Sequence, residues 1–287
     1  MGVEKSVAVV GLGLMGQALA GAFVRVGYPT TVWNRTPGKA GRLVADGAAV
    51  VDSVEEAVAA GSVVVVCVAD HGVVRGLLRT VGGGLEGKVL VNLTSATSVQ
   101  MREIGGLEGV DSYLAGAIMG MPQGIGTTES LVLYSGPRSV FEAHEEVLRV
   151  LGEAVYLGAD HGLSSLYAGA GVSLMWSVLN GFLHGAALLG AAGVEASAFV
   201  PFARQNIATA SGWLAGYAGQ IDEGAYPGAD ATIDSHVAAM GSLVQESEAN
   251  GVNAELPKFI RELAERAAAD GRGRDGYAAM IDLFRTP

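Results

Sequence analysis

Near its start the chain runs through four apolar residues, Val7-Ala8-Val9-Val10, and breaks into Gly11-Leu12-Gly13-Leu14-Met15-Gly16. Residues Gln17 to Val26 then read as a helix. In this order each glycine has a distinct task. Gly11 permits a tight turn, Gly13 lets backbone approach a pyrophosphate, and Gly16 lets helix and strand pack closely. The helix start adds unpaired N–H groups and a positive dipole end, which favour phosphate. The glycine spacing alone is a weak signal. Here strand, glycines and helix follow in sequence, and a second strand, Thr30 to Trp33, ends in a polar cluster. An acidic residue there would accept hydrogen bonds from the ribose hydroxyls of NAD. This chain instead has Asn34, Arg35 and Thr36, with Lys39 nearby. Arg35 can stack on adenine and grip a 2′-phosphate, while Asn34 and Thr36 donate neutral hydrogen bonds. The expectation is a dinucleotide fold that takes NADPH over NADH.

Strand and helix patterns alternate through the first half. Strands are expected at Ser6 to Gly11, Thr30 to Trp33, Ala48 to Val50, Val63 to Val68, Val89 to Asn92, Tyr113 to Ala117, Leu131 to Ser135 and Ala154 to Leu157. Val-rich runs separated by helices predict a Rossmann-type, doubly wound parallel sheet of the α/β class, covered on both faces. Beyond it only helical patterns occur: Leu166 to Leu189, Ala198 to Tyr217, Ile233 to Asn250 and Leu256 to Ala269. The expected layout is a nucleotide-binding domain over 1–160, a long interdomain helix over 161–190 and an all-helical domain over 191–287.

The net charge of −11 argues against nucleic acid and anionic membranes as partners. The single cysteine, Cys67, falls in the Val63–Val68 run and reads as a core residue, which suits a reducing cytoplasm. Met1 to Ser6 enters the first strand directly, so no signal peptide is expected. Leu163 to Phe202 is apolar enough to suggest a membrane span. It carries Ser173, Ser177, Asn180, His184 and several glycines without basic flanks, so it reads as a long helix buried between domains or subunits. The five histidines lack zinc-like spacing, and no metal is expected.

Ligands of open α/β sheets collect at the carboxyl ends of the strands. The segments following those ends carry Val68, Ala69 and Asp70 on the pyrophosphate side. Asn92, Thr94 and Ser95 are placed to hydrogen-bond the nicotinamide ribose or carboxamide. Thr94 and Ser95 can also cap a helix, and the two roles can coexist. Met119 lies where the next strand ends.

Taken together, Gly11 to Gly16, Asn34-Arg35-Thr36, Asn92-Leu93-Thr94-Ser95 and Met119-Gly120-Met121-Pro122 resemble the imine reductases of the β-hydroxyacid dehydrogenase superfamily. Leu174-Met175-Trp176, Asn180-Gly181-Phe182, Ala231-Thr232-Ile233-Asp234-Ser235-His236 and Gly276-Tyr277 extend the resemblance into the second half. It implies NADPH-dependent reduction of C=N bonds, chiefly of cyclic imines, and reductive amination of ketones with amines. It also implies a homodimer in which each active site combines one subunit's sheet domain with the other's helices.

One position departs from the family. The hydroxyacid dehydrogenases carry a catalytic lysine early in the interdomain helix, and imine reductases have aspartate or tyrosine there. The matching residue here is Ala168. No lysine occurs between Lys88 and Lys258, which weighs against a 3-hydroxyacid dehydrogenase. The missing acid leaves open a catalytically silent NADP(H)-binding protein. Loss of a general acid costs about 10²–10⁴-fold and need not abolish activity. Replacement donors are Tyr167, which adjoins Ala168 but points about 100° away, and Asp234 and His236. Trp176, Trp213 and Tyr217 are expected to line the substrate pocket with Asn92 and Met119.

Overall fold

The computed structural model describes residues 5–285. The first four residues, on which part of the leader expectation rests, lie outside the described residues. The fold divides into two compact units, one ending at Ser173 and one beginning at Leu174.

The first unit is built on eight strands: β1 (Val7–Val10), β2 (Thr30–Trp33), β3 (Ala49–Val50), β4 (Val63–Val66), β5 (Val89–Asn92), β6 (Tyr113–Met119), β7 (Leu131–Ser135) and β8 (Glu153–Gly158). They form one sheet in the order β3-β2-β1-β4-β5-β6-β7-β8. The Val-rich runs are buried because both faces are covered. Val7, Val9, Val63 and Val65 point into one core with Leu19, Phe23, Phe141 and Leu148. Ala8, Val10, Val64 and Val66 point into the other with Val54, Val58, Val74, Met101 and Ile104. The first core is closed by helices α1 (Leu14–Arg25) and α6 (Arg138–Leu148). The second is closed by α3 (Val54–Ala60), α4 (His71–Val81) and α5 (Ser98–Gly105), while α2 (Gly41–Ala45) follows β2.

Two features of this unit differ from expectation. β7 pairs antiparallel with β6, so the sheet is mostly rather than wholly parallel. Between those strands the chain has only a short turn at Pro122–Gly124 and no crossover helix, and a return without a crossover runs antiparallel. Strand β4 also stops at Val66, which puts Cys67 in the loop beyond it, where burial pushes the thiol up to about 11.

The rest of the chain is helical: α7 (Leu163–Ala191), α8 (Ala196–Glu223), α9 (Ile233–Ala249), α10 (Glu255–Ala267) and α11 (Ile281–Arg285). The stretch Leu163 to Phe202 is not one continuous helix but two, joined by a short turn at 192–195 between the patterns read at 166–189 and 198–217. Nor is it buried in the single chain. Large apolar side chains of α7 stand exposed, among them Leu174 at 57%, Trp176 at 56% and Leu183 at 62%. Among the described residues α7 is the one helix long and apolar enough to cross a membrane by length and composition. The second unit keeps a small core of Ile233, Ala264, Ala267, Ala279 and Met280. Thr232 caps α9 with a reciprocal bond to Ser235, which fixes where that helix starts.

Candidate active site

The loops after β1, β2, β4 and β5 meet at the carboxyl edge of the sheet, and a row of polar ties holds them together. The Leu12 N–H donates to Asn34 Oδ1 at 2.9 Å, and Asn34 Nδ2 donates to the Thr36 carbonyl at 2.8 Å. The Val68 N–H donates to Thr94 Oγ1 at 3.1 Å, and the Thr94 N–H donates to Asn92 Oδ1 at 3.0 Å. Asn92 Nδ2 lies 3.4 Å from Met101 Sδ and 3.5 Å from Tyr113 Oη. Burial raises the Tyr113 phenol pKa, more than its hydrogen bond with Asn92 lowers it, so it stays a neutral partner.

These ties correct part of the expectation. Asn92 and Thr94 are fully buried, so their side chains order the loops instead of reaching a ligand. Buried amide and hydroxyl groups must be paired, and these pair with one another. Asn34 likewise spends both ends of its amide on the turn. Thr97, not Thr94 or Ser95, caps α5, through a capping box with Gln100. Asp70 caps α4 by accepting the Val73 N–H at 2.9 Å. Tyr113 and Met101 are the residues that sequence reasoning missed. Their separation from Asn92 along the chain gave no signal, because only the pairing of β5 with β6 brings Tyr113 beside it and only the packing of α5 on the sheet brings Met101.

The glycine cradle has the shape a diphosphate needs. Gly11 has φ of +100°, and a Cβ there would lie 2.2 Å from the Cys67 carbonyl oxygen. A Cβ on Gly16 would lie 1.9 Å from the Gly11 carbonyl oxygen, so the helix start can sit this close only with glycine. Around Gly13 nothing lies within 4 Å. Gly13 is the N-cap of α1 and offers no side-chain cap, which leaves the first-turn N–H groups of Leu14, Met15 and Gly16 without an internal partner. Gly13, Leu14, Arg35, Thr36, Lys39, Ala69, Asp70 and Ser95 are exposed around this opening, while Leu12 is buried and Met15 and Val68 are half-buried. No acidic side chain follows β2 until Asp46. The donor set suits an anionic dinucleotide that carries an extra phosphate.

Beyond the cradle, Ala168 is half-buried on α7 and Tyr167 is exposed. Met119, at the end of β6, meets the same helix: a Cβ on Gly171 would lie 3.1 Å from Met119 Cε. In the second unit, Trp213, Tyr217, Gln220, His236 and Tyr277 line one cleft of about 480 Å³. The His236 and Tyr277 rings are 4.8 Å apart at 60°. Burial, then the neighbouring Tyr217, raises the pKa of Tyr277, which stays protonated. Asp234 does not join this cleft. It sits in the first turn of α9, where an acid suits the dipole, and its carboxylate fills the space above Gly273.

The sheet order and the glycine cradle define a Rossmann-class dinucleotide-binding oxidoreductase. Comparison with known proteins narrows the class. Residues 6–158 match the NAD-binding domain model of 6-phosphogluconate dehydrogenase, and residues 160–286 match that of the NADPH-dependent reductive aminase-like C-terminal domain. The chain is 32% identical to an NADPH-dependent reductive aminase of Aspergillus oryzae, over 99% of its own length and 98% of the relative's. It superposes with a TM-score of 0.93 on an imine reductase of Bacillus cereus, at 37% identity, covering 99% of this chain and 100% of that one. A reductive aminase of Aspergillus terreus, solved with NADPH4, cyclohexanone and allyl amine, gives a TM-score of 0.89 at 35% identity, covering 98% and 100%. The chain belongs to the imine reductase and reductive aminase family of NADPH-dependent oxidoreductases, which act on C=N bonds.

Proposed function

We propose that this protein reduces cyclic imines and the imines formed from a ketone and an amine, as a cytoplasmic homodimer with shared active sites. The observation that carries this reading is the full-length match to imine reductases, together with a cradle that leaves three helix N–H groups for a diphosphate. NADPH, once bound, supplies the hydride that adds to the imine carbon. The N–H groups of Leu14, Met15 and Gly16 would hold its diphosphate, and Arg35, with Thr36 and Lys39 beside it, would hold the 2′-phosphate by charge. Ala69, Asp70 and Ser95 border the same opening.

In the position of the family's acid, Ala168 holds no proton. Alkyl imines are basic enough to arrive as iminium ions near neutral pH, and an iminium carbon accepts hydride without further acid. The site's work is then orientation and exclusion of water, which supply rate through proximity. His236, whose ring lines the cleft beside Tyr277, is the proton donor we favour for less basic imines, ahead of Tyr167. Asp234 serves its helix. Trp176, Trp213 and Tyr217 offer aromatic faces that suit a cationic substrate.

The homodimer reading rests on the open apolar faces of α7 and α8, since contiguous patches of this kind normally mark interfaces. The proposed organisation is a cofactor domain over 1–160, an interdomain helix over 161–190 and a helical dimerisation domain over 191–287. The test is NADPH oxidation at 340 nm with a pyrroline in one arm and a ketone plus an amine in the other. Turnover of the pyrroline supports the reading. NADPH binding with no turnover in either arm overturns it in favour of a silent binding protein, and NADP-dependent oxidation of a 3-hydroxyacid overturns it in favour of a dehydrogenase.

A further inference from the structure

The first residues of α7 are gripped from three sides by groups outside the cofactor cradle. Arg102, on α5, pairs with Asp160 in a two-pronged fashion: Nε to Oδ1 and Nη2 to Oδ2, each at 2.8 Å. Asp160 Oδ1 also accepts the Gly162 N–H at 2.9 Å. Gly162 lies flat against the guanidinium, where a Cβ would come within 2.7 Å of Arg102 Cζ. Next along the chain, the His161 ring stacks on Tyr113 of β6, with centroids 4.8 Å apart and planes at 26°. Its Nε2 lies 3.3 Å from the Tyr113 carbonyl. Two glycines make room for that ring: a Cβ on Gly105 would lie 2.7 Å from His161 Nδ1, and one on Gly136 would lie 3.1 Å from Cδ2. The third grip is Ser135 of β7. Its hydroxyl donates to the His161 carbonyl at 2.9 Å and accepts the Ser164 N–H at 3.1 Å.

These grips bear on the reacting end of the molecule through helix periodicity. Ser164, Ala168 and Gly171 are spaced at i, i+4 and i+7, so they share one face of α7. That face is the covered one: Ser164 is buried and Ala168 and Gly171 are half-buried, whereas Leu166, Tyr167, Gly169 and Ala170 are exposed. It is pinned at Ser164 by β7 and meets Met119 of β6 at Gly171. Ala168 lies between those two contacts.

We propose that Arg102 and His161 are positioning residues: by seating the first turn of α7 on β6 and β7, they hold the Ser164–Ala168–Gly171 face, and with it the substrate-side position 168, over the carboxyl end of β6. The role of position 168 rests on the function proposed above; the seating itself does not. An isolated surface ion pair contributes little, but a two-pronged arginine–carboxylate pair is the geometry that does fix a segment. The stacked imidazole acts as a key whose slot is cut by Gly105 and Gly136.

The test uses the full chain with NADPH bound. Amide hydrogen exchange is followed in 164–171, and kcat, KM and NADPH Kd are measured for wild type, Arg102→Gln, Arg102→Lys and Gly105→Ala. Arg102→Gln is expected to speed exchange in 164–171 by about tenfold and to lower kcat by about fivefold, with NADPH Kd changed less than twofold. Arg102→Lys, which restores the charge but not the fork, should fall between. Gly105→Ala, which leaves the ion pair intact and blocks the imidazole slot, should speed exchange in the same segment. Unchanged exchange in 164–171 in both Arg102→Gln and Gly105→Ala overturns the seating, and faster exchange with kcat unaltered overturns its bearing on position 168. Should either variant fail to fold, Asp160→Asn removes one charge from the clamp at nearly constant shape and is judged by the same readings. A wild type that turns over no imine refutes the proposed function alone, and the exchange measurements still decide the seating.

Discussion

At the carboxyl edge of the sheet, buried polar groups answer one another across the strands: Leu12 to Asn34, Val68 to Thr94, Thr94 to Asn92, Asn92 to Tyr113. Along α7 and α8 the reverse holds, with Leu174, Trp176, Leu183 and Phe202 standing open. A cavity of about 470 Å³, lined by Leu174, Phe182, Phe199 and Ile207 among others, runs between these two helices. The first region is complete within one chain, because its hydrogen bonds close on themselves. The second has apolar surface that one chain does not cover. A nucleotide site can therefore be preformed within one chain, while the apolar faces of α7 and α8 are where the proposed dimer would complete the substrate side.

The largest effect that would sharpen this contrast lies at position 168. Ala168→Asp should raise the rate of imine reduction by about 10²–10⁴-fold where the substrate arrives neutral, above the imine's own pKa. A quaternary iminium, which needs no proton, should be reduced at similar rates by both forms. An unchanged pH–rate profile in a folded, NADPH-binding variant would mean that another group already delivers the proton, with His236 the next residue to replace.

On the completed side, Arg35→Glu should weaken NADPH binding roughly 100-fold. It replaces a charge-assisted contact of about 1.5–3 kcal/mol with repulsion. NADH binding should change little, and fluorescence titration of both cofactors reads the difference. Equal losses for the two would remove Arg35 from the 2′-phosphate.

On the open side, Leu174→Glu should weaken self-association by roughly 30-fold or more, since an unpaired polar group in an apolar interface costs about 2 kcal/mol or above. Light scattering at micromolar concentration would follow it. A wild-type protein that is monomeric and fully active would break the contrast altogether.

The smallest effect concerns the start of α7. Burial pushes the His161 pKa below its ordinary value, although the Tyr113 carbonyl and Asp160 oppose this. The unfolded chain then takes up the proton first, so this contribution to stability is whole above about pH 6.5 and falls away as pH drops below it. Asp160 works lower down. Its bonds to Arg102 and the Gly162 N–H hold it at about 2, so its contribution is whole above about pH 4 and is lost towards pH 2. Denaturant midpoints measured between pH 7.5 and 5 should therefore slope more in wild type than in His161→Gln. Equal slopes would remove His161 from the balance.

Much of the sheet domain could be read along the chain, because its signals are local. β1 with its three glycines, the Arg35 that replaces an acid after β2, and the Val runs of β4 and β5 each carry their meaning within a few residues. Covered strands must be apolar on both faces, a cradle needs glycine where a Cβ would strike a carbonyl, and neither requirement depends on distant partners. The absence of an acid at Ala168 was equally plain. What only the tertiary structure decided is which polar residues face outwards. Asn92 and Thr94 have the composition of ligand contacts, yet strand pairing and the packing of α5 turn them against Val68, Met101 and Tyr113, where they order loops. Asp234 and His236 stand two residues apart, yet the first turn of α9 sends one to Gly273 and the other to Tyr277. The grip of Arg102 on Asp160 crosses 58 residues of chain. Hydrogen bonds and ring contacts depend on positions in space to within an ångström, and a linear pattern records only which residues are available to make them.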